Sequence, residues 1–518
     1  MSTRANNPWV LLAACLTAVL LPTSITGTAV TLPAIAADIG DGDVVKLQWI
    51  VHSYDLTFAS FMLAFGSMSD IYGRRRMFRL GMVTYGVCAL IAALSQNLLL
   101  LDLVRGVTGI AAAALMTSAS AALAQNFTGA AQARAFGLFG TSFGIGLAFG
   151  PMLGGGLVTA FGWRSFFLAQ VLLAAAALLS SKALPGKPAT PPAKIDVPGA
   201  LVFVGGLFLF ILGLVEAPQR GLTDPFVLAC FGAAVAFGAT FAVVEYRSSH
   251  PMFDLSLLRQ RRYFAVCLAP VTLAFGFVAL LVYLPTYFMS AHHLSAWTVG
   301  LFMMALTLPT LFMPAVAGTL VAKGASARWL MVLCMSLVAV GCLLLITVGH
   351  DTSLLLTALP LVVIGTGFGI SNGILDAAAA TSVEPERAGM AVGMFNTMRI
   401  AGEVVAIAVA GALVVGYSRA ALGSGAPAGA VGTPQHIANA LAEGKYQELV
   451  SGAGAGLRDA FGTWIISAYD TAMHWTYFWI GLLCLLTVPV LAVFLKPERT
   501  AASAPAQPAD DIPVPARS

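Results

Sequence analysis

Charge is what this chain of 518 residues has least of. Only 10% of its residues are charged and 58% are hydrophobic, whereas a soluble domain has about 25% charged and roughly 45–50% apolar residues. Mean hydropathy is correspondingly high, at +0.87. These values exclude an ordinary soluble protein. The net charge is only +4 and no basic run alternates with aromatic residues, so we expect no nucleic-acid partner.

Signatures of chemistry are also missing. The sequence contains no HExxH, GxSxG or Walker loop and no cluster of histidines and carboxylates, so neither an enzyme nor an ATP-driven pump is expected. We expect no cofactor and no metal. The cysteines lie in apolar segments without metal-ligand or CxxC spacing, and we interpret them as small hydrophobic residues. They are Cys15, Cys88, Cys230, Cys267, Cys334, Cys342 and Cys484.

Long apolar stretches are abundant. About 18 apolar residues suffice to cross a bilayer core of roughly 30 Å, and fourteen such stretches occur in the sequence. The sequence therefore predicts an all-α integral membrane protein with fourteen transmembrane helices. The stretches are 9–36, 48–69, 79–95, 98–123, 135–160, 164–184, 199–217, 224–245, 263–290, 296–322, 328–349, 353–381, 388–416 and 473–495.

The basic residues predict the orientation of these helices. Placing both termini and the even-to-odd loops in the cytoplasm puts nineteen lysines and arginines on that side and six on the other. Because cytoplasmic loops are enriched in Lys and Arg, we predict that both termini are cytoplasmic. Three connectors are long: a proline-rich segment at 185–198, an outside loop at 418–471 with a short amphipathic helix around 435–450, and a tail from 500 that is predicted to be disordered.

The cytoplasmic turn after the second predicted helix reads GSMSDIYGRRR, residues 66–76. Gly66 and Gly73 permit close approach and a sharp turn, and Asp70 lies at a helix end. Anchoring by positive charge explains Arg74 and Arg75 but not the framing of the acid by glycines. The stretch resembles the GxxxDxxGRR signature of the major facilitator superfamily. The resemblance implies that the acid and the basic cluster latch the cytoplasmic face closed.

An arginine lies inside the fourth predicted helix, in the segment Leu103–Gly109. A charge at that depth costs roughly 2.5–3.5 kcal/mol on insertion scales, which makes Arg105 a functional candidate. The segment resembles the RxxxG element of the superfamily, which is implicated in proton movement. A structural ion pair with Asp102, three residues earlier on the same helix face, is an alternative that is compatible with that role.

The fifth predicted helix contains GTSFGIGLAFGPMLGGG, residues 140–156. Its spaced glycines favour close helix packing and its Gly-Pro step favours a kink. A generic glycine-rich membrane helix would share these features, but the full pattern resembles the antiporter signature of exporters in the superfamily. The residues that carry the resemblance are Gly140, Gly144, Gly150, Pro151, Gly154 and Gly155.

Fourteen helices narrow the resemblance to the drug:proton antiporter branch. It implies two six-helix bundles with two extra central helices, in a monomer of the cell (inner) membrane. The domains are then 1–184, the N-terminal bundle; 185–262, a linker with the extra helices; 263–499, the C-terminal bundle with the loop 418–471; and 500–518, a cytoplasmic tail. The implied partners are a small lipophilic substrate, protons and membrane lipids. The implied cavity residues are Ser24, Trp49, Tyr54 and Asn396.

The first helix departs from the branch. Residues 23–33 read TSITGTAVTLP, and Ser24 stands where the branch usually has an aspartate used in proton coupling or cation recognition. Serine does not titrate, so another group must couple. We hypothesise that Asp55 and Glu403 do so, with Arg105 and Arg399 as charge partners and Asp102 as a further candidate. A static pair between Arg399 and Glu403, four residues apart, is the structural alternative.

The sequence thus favours a proton-driven exporter of lipophilic drugs or toxic small molecules. Loss of the first-helix acid leaves open a dedicated exporter of one endogenous metabolite or lipid, with neutral or anionic cargo. A membrane sensor that transports nothing is the alternative from another class.

Overall fold

The computed structural model describes residues 7–40, 44–184, 196–220, 224–247, 255–294, 296–383, 388–423, 432–442, 446–452 and 457–495. They form eighteen α-helices, with a short 3₁₀ turn at Ser181–Ala183. In chain order the helices are α1 Pro8–Ile39, α2 Val44–Tyr72, α3 Arg74–Leu94, α4 Leu98–Asn126, α5 Gly129–Phe161, α6 Arg164–Ser180, α7 Val197–Arg220, α8 Pro225–Arg247, α9 Leu255–Arg259, α10 Arg261–Ala291, α11 Ala296–Ala322, α12 Ala327–Leu345, α13 Leu354–Ser371, α14 Ile374–Ala380, α15 Ala388–Leu422, α16 Pro434–Ala442, α17 Tyr446–Gly452 and α18 Arg458–Phe494.

Local chemistry explains several helix boundaries. Gly73, with φ of 90°, separates α2 from α3, and Gly162, with φ of 79°, separates α5 from α6. Such positive φ values favour glycine. The side chain of Asn97 caps α4 by accepting the backbone N–H of Leu100 at 2.8 Å. The turns between α2 and α3 and between α5 and α6 are therefore short.

Every one of the fourteen predicted stretches contains a helix. By length and composition, twelve helical segments of the described residues could cross a membrane, with α13 and α14 counted together as one. The exceptions are α6, which has only 17 residues, and α2, where polar residues such as His52 and Asp55 interrupt the apolar run. The membrane-spanning all-α architecture is confirmed, whereas the count of fourteen spans stays a prediction.

Two details differ from the predicted boundaries. The stretch 353–381 is broken at Gly373, whose φ of 83° divides it into α13 and α14. The outside loop 418–471 is much shorter than predicted, because α15 runs to Leu422 and α18 begins at Arg458. The added turns of α18 bury Phe461, Ile465 and Tyr469, so tertiary packing extends the helix past its purely apolar part. The expected short helix around 435–450 is replaced by two, α16 and α17.

The helices form two bundles with an inserted pair. Helices α1–α6 pack on one another, as do α10–α15 and α18, while α7 packs against α8 and also against α2 and α15. The pair α7 and α8 is joined by aromatic contacts, Phe203 with Phe241 at 5.1 Å and Phe210 with Phe231 at 6.0 Å between ring centroids. The proline-rich linker, apart from its last residues 196–198, and the C-terminal tail lie outside the described residues.

Candidate functional site

The two bundles meet through two helix pairs, α2 with α15 and α5 with α11. We call the half of the molecule that carries residues 74–76 the basic half, and the other half the opposite half. Both pairs have their tightest contacts in the basic half. A Cβ atom built on Gly393 of α15 would lie 3.2 Å from the Cα of Gly66 in α2. Backbone therefore touches backbone at this junction.

The glycines of α5 form two separate faces. A Cβ atom on Gly144 would lie 2.6 Å from the carbonyl oxygen of Thr310 in α11, and one on Gly140 would lie 2.9 Å from the backbone of Asn372. These two glycines thus let α5 approach the other bundle. Gly150 and Gly154 instead face α1, where a Cβ on Gly154 would lie 2.7 Å from the carbonyl oxygen of Gly27. Pro151 lies within α5, and Gly155 has only an ordinary contact, 3.6 Å from Val30.

The acid of the basic turn reaches across the junction. One carboxylate oxygen of Asp70 accepts the backbone N–H of Met390 at 2.8 Å, near the start of α15. The other oxygen pairs with Arg74 at 3.0 Å. A carboxylate at a helix N-terminus satisfies a free N–H group and interacts favourably with the helix dipole. Asp70 therefore ties α2 of one bundle to α15 of the other. The side chain of Arg75, in the first turn of α3, is half-buried.

Arg105 lies at the centre of the N-terminal bundle, with only 1% of its surface exposed. Its guanidinium donates to the carbonyl oxygen of Ile50 at 2.9 Å and to the hydroxyl of Ser24 at 2.8 Å. It also stacks over the ring of Tyr54 at 4.4 Å. The hydrogen-bond acceptors are thus neutral oxygens. The alternative ion pair with Asp102 is not formed among the described residues, and one carboxylate oxygen of Asp102 is buried without a partner.

Arg399 of α15 is the second arginine of the site. Its ion pair is with Asp376 of α14, at 3.7 Å, and its guanidinium lies 5.4 Å from the ring of Phe143 in the other bundle. Glu403 lies within electrostatic range of Arg399. The ion pair of Arg399 is thus with Asp376, on the helix α14 that contacts α15, while the static pair with Glu403 stays an alternative for its role.

The predicted coupling residues lie near one another across the seam between the bundles. Asp55 of α2 lies within electrostatic range of both Arg105 in its own bundle and Glu403 in the other. Asp376, Arg399 and Glu403 line a small cavity of about 20 Å³ together with Phe368 and Phe395. Since a water needs at least about 10–15 Å³, this cavity has room for a water molecule but not for a drug.

The predicted substrate-cavity residues do not line this small cavity. Ser24 and Tyr54 are buried against Arg105, and Trp49 makes an edge contact with His52 at 6.3 Å. Asn396 is fully buried and donates to the carbonyl oxygen of Val392 in its own helix. Ser24 therefore belongs to the arginine site in this conformation.

Two buried acids are not among the predicted coupling residues. Asp376 lies in a predicted apolar span, where an acid is itself a signal, but its pairing with Arg399 depends on the break at Gly373. Glu216 of α7 is buried, with 7% exposure, and lies within electrostatic range of His52. Glu216 lies next to the end of the predicted span 199–217, where an acid is common and is not by itself a sign of function.

Comparisons with known proteins agree with this architecture. A profile of the Major Facilitator Superfamily matches residues 14–407. The chain is 30% identical over 397 residues to the multidrug resistance protein Stp of Mycobacterium tuberculosis, covering 76% of this chain and 73% of that protein. It is 33% identical over 411 residues to a probable actinorhodin transporter of Streptomyces coelicolor, covering 75% and 69%.

Another relative is the multidrug efflux pump LfrA of Mycolicibacterium smegmatis, 29% identical over 420 residues, with 80% of this chain and 82% of LfrA covered. Among solved structures, the human organic anion transporter MFSD10 superposes with a TM-score of 0.61 at 16% identity, covering 95% of this chain and all of that one. The proton:xylose symporter XylE superposes with a TM-score of 0.57 at 13% identity, covering 94% and 95%. These two likenesses show the fold.

Proposed function

The chain belongs to the major facilitator superfamily, and on that premise we propose that it is a proton-coupled exporter of lipophilic small molecules working by alternating access. The observation that carries the proposal is the group of ionisable side chains within electrostatic range of one another, Asp55 and Glu403 across the seam with Arg105 and Arg399 beside them. The names of its relatives, which include multidrug and antibiotic resistance proteins, support the cargo class. A bacterial inner membrane with both termini in the cytoplasm is part of the proposal.

The arrangement of the bundles supports the alternating-access step. The described contacts tie the bundles together in the basic half, through the glycines of α5 and the carboxylate of Asp70. Release of these contacts would open that half while closing the other. Two six-helix halves related as repeats, with a binding region near the midplane between them, are typical of secondary transporters of this superfamily.

The proton step uses the contrast between the two environments of a seam carboxylate. In the described conformation Asp55 and Glu403 lie within electrostatic range of each other, so protonation of one relieves their repulsion. A neighbouring arginine favours the charged form and burial favours the neutral form. When the bundles separate, the balance at each carboxylate changes, and a proton can be taken up on one side and released on the other.

Proteoliposomes with an imposed proton gradient test the proposal. Wild type is expected to move a fluorescent lipophilic cation or a neutral dye and to couple that movement to proton flow. Glu403→Gln and Asp55→Asn each remove a titrating group with little change of volume, and we expect gradient-driven flux to fall to background. Counterflow exchange, which needs no net proton movement, is expected to persist.

Glu448→Gln is the matched control, because it removes a carboxylate from the exposed helix α17 and is expected to leave flux unchanged. Normal gradient-driven transport in both seam variants would overturn the assignment of the coupling residues. Absence of counterflow for every solute in the wild type would overturn transport itself and favour a sensor.

A dedicated exporter of one neutral or anionic metabolite or lipid is the second candidate. The observation that favours it is the site of Arg105, whose positive charge is hydrogen-bonded to the neutral Ser24 and Ile50. Because the hydrogen bonds of this cation go to neutral oxygens, only the more distant Asp55 offsets its charge, and we expect the site to favour anionic over cationic cargo. A susceptibility panel of cationic, neutral and anionic compounds, in a host without its own pumps, separates the two candidates.

A further inference from the structure

A second cavity shares no lining residue with the small cavity at the charged seam. It has a volume of about 330 Å³ and is bounded by α5, α10, α11, α12 and α14. Ligand pockets in proteins are typically about 300–1,000 Å³. One wall comes from the N-terminal bundle, at Gln132 and Ala133, and the other walls come from the C-terminal bundle. The cavity is therefore complete only when the two bundles are together in the basic half.

The polar part of the cavity is basic. Arg262 at the start of α10 and Arg328 at the start of α12 both line it, and no described lining residue is an acid. Arg328 is held in place by a hydrogen bond to the carbonyl oxygen of Ala492 and by stacking over Trp329 at 4.8 Å. Its Nε is buried and has no hydrogen-bond partner among the described residues. A fixed guanidinium with a spare donor matches a phosphate oxygen.

The rest of the cavity is apolar, with Val266, Met331, Ile374 and Leu495 among its lining residues. An occupant therefore needs an anionic group joined to a hydrocarbon part. Trp329 next to the cavity is 58% exposed, and exposed tryptophans of membrane proteins concentrate at the level of lipid headgroups. The arginines then lie where the phosphates of the bilayer are.

We propose that this cavity binds the headgroup of an anionic phospholipid, with its phosphate between Arg262 and Arg328 and its hydrocarbon against Met331 and Ile374. Because α5 supplies one wall, the lipid binds the conformation closed at the basic half more tightly than the open one. A ligand with differential affinity for two conformations shifts the equilibrium between them. Anionic lipid therefore favours the closed basic half and sets how readily the transporter opens there.

The binding test uses the full chain in nanodiscs of phosphatidylcholine, with and without phosphatidylglycerol, and native mass spectrometry to count retained lipid. We expect wild type to retain phosphatidylglycerol. The double variant Arg262→Gln/Arg328→Gln is expected to bind it about tenfold or more weakly, because charge-assisted hydrogen bonds are lost. Ala378→Leu fills the cavity without touching either arginine and is expected to have the same effect.

The matched control is Arg259→Gln/Arg261→Gln, which removes two positive charges from the same interface at residues that do not line the cavity. It is expected to retain the lipid as wild type does. Equal retention by all four proteins would overturn the proposal. A further arm adds glycerol 3-phosphate to phosphatidylcholine nanodiscs. Retention of that soluble anion by the wild type, together with no preference for phosphatidylglycerol, would overturn the lipid as occupant.

The conformational consequence is measured with spin labels at Thr128, just before α5, and at Lys323, just after α11. Both positions lie in the basic half. Phosphatidylglycerol is expected to increase the fraction of short distances in wild type and in the control, but not in the cavity variants. A shift that is the same in every variant would overturn the coupling. None of these measurements uses a cargo or a proton gradient, so failure of the export proposal would leave their interpretation intact.

Discussion

At the scale of single residues, Ser24 gives the central arginine a neutral hydrogen-bond partner. Its hydroxyl accepts a hydrogen bond from Arg105 at 2.8 Å, so an aspartate at this position would place a carboxylate beside the guanidinium. An ion pair of this kind would neutralise the positive charge of Arg105. The identity of one side chain therefore bears on the sign of the cargo.

The first prediction concerns Ser24→Asp. We expect transport of cationic compounds to improve relative to anionic ones by about tenfold, a change of about 1.4 kcal/mol in relative transition-state free energy. Relative kcat/KM values for a matched cation and anion in proteoliposomes measure the change. Ser24→Asn, which keeps a polar neutral group, serves as the control and is expected to preserve the wild-type ratio. An unchanged ratio in Ser24→Asp would refute the role of this site in charge selection.

The charged residues of the seam could be found from the sequence because an ionisable side chain in an apolar span is costly and rare. That argument identifies Arg105 and Arg399 individually. It does not identify their partners, which come from other helices: Arg105 bonds to Ser24, 81 positions away in the chain, and Arg399 pairs with Asp376 of α14. Such pairings depend on how the helices are arranged.

At the scale of helices, the contact of α5 with α11 depends on the absence of side chains. Gly144→Ala is expected to reduce transport strongly, because its Cβ would lie 2.6 Å from the carbonyl oxygen of Thr310. This outcome opposes intrinsic helix propensity, since alanine stabilises a helix by about 1 kcal/mol relative to glycine. Gly156→Ala, in the same helix but with open space around its Cβ, is the control and is expected to keep full activity.

Loss of transport with an unchanged distance between spin labels on α5 and α11 would contradict this explanation. We expect instead that the Gly144→Ala labels move apart, as they would if the basic half could not close.

A second prediction at this scale concerns the cap of α15. Asp70→Ala removes the acceptor for the backbone N–H of Met390 and the partner of Arg74. Loss of an N-terminal cap costs about 0.5–2 kcal/mol, and this cost falls on the conformation that is closed at the basic half. The open fraction is therefore expected to rise several-fold, as measured by the reactivity of a cysteine introduced at Asn372. Asp224→Ala, which removes the acid that caps α8 away from the seam, is expected to leave that reactivity unchanged.

The helices themselves were largely predictable, because long apolar runs must satisfy their backbone internally in a membrane. Failures occurred where packing and not hydropathy decides the boundary. Residues 458–472 carry polar groups such as Asp459 and Asp470, yet they form the first turns of α18. Gly373 lies in a run that reads as one continuous span, and only its positive φ divides it.

At the scale of the whole molecule, the opposite half has its own acid–base group. Nδ1 of His350, between α12 and α13, lies 2.6 Å from a carboxylate oxygen of Asp470 in α18. The hydroxyl of Tyr287 in α10 donates a hydrogen bond to the other oxygen of the same carboxylate, also at 2.6 Å. The hydrogen bond to Asp470 raises the pKa of His350 above its usual value. The charged histidine thus ties the loop between α12 and α13 to two other helices.

Because this pKa is raised in the folded protein, the stabilisation is fully present below the ordinary histidine pKa of about 6.5 and is lost as the pH rises through the raised value. We expect the melting temperature of the purified protein to fall as the pH rises from about 6.5 through the raised pKa of His350. His350→Gln is expected to flatten the dependence, while His436→Gln on the separate helix α16 is expected to retain it. Parallel curves for wild type and His350→Gln would show that another group is responsible.

The placement of α7 affects how lipophilic molecules can reach the interface between the two bundles. Two flanks of the central interface face the bilayer, one where α2 meets α15 and one where α5 meets α11. Because α7 lies against both α2 and α15, it screens the first flank from the hydrocarbon. Among the described helices, α7 and α8 do not cover the second flank, so we expect molecules dissolved in the membrane to enter between α5 and α11, in the half where these helices are not in close contact.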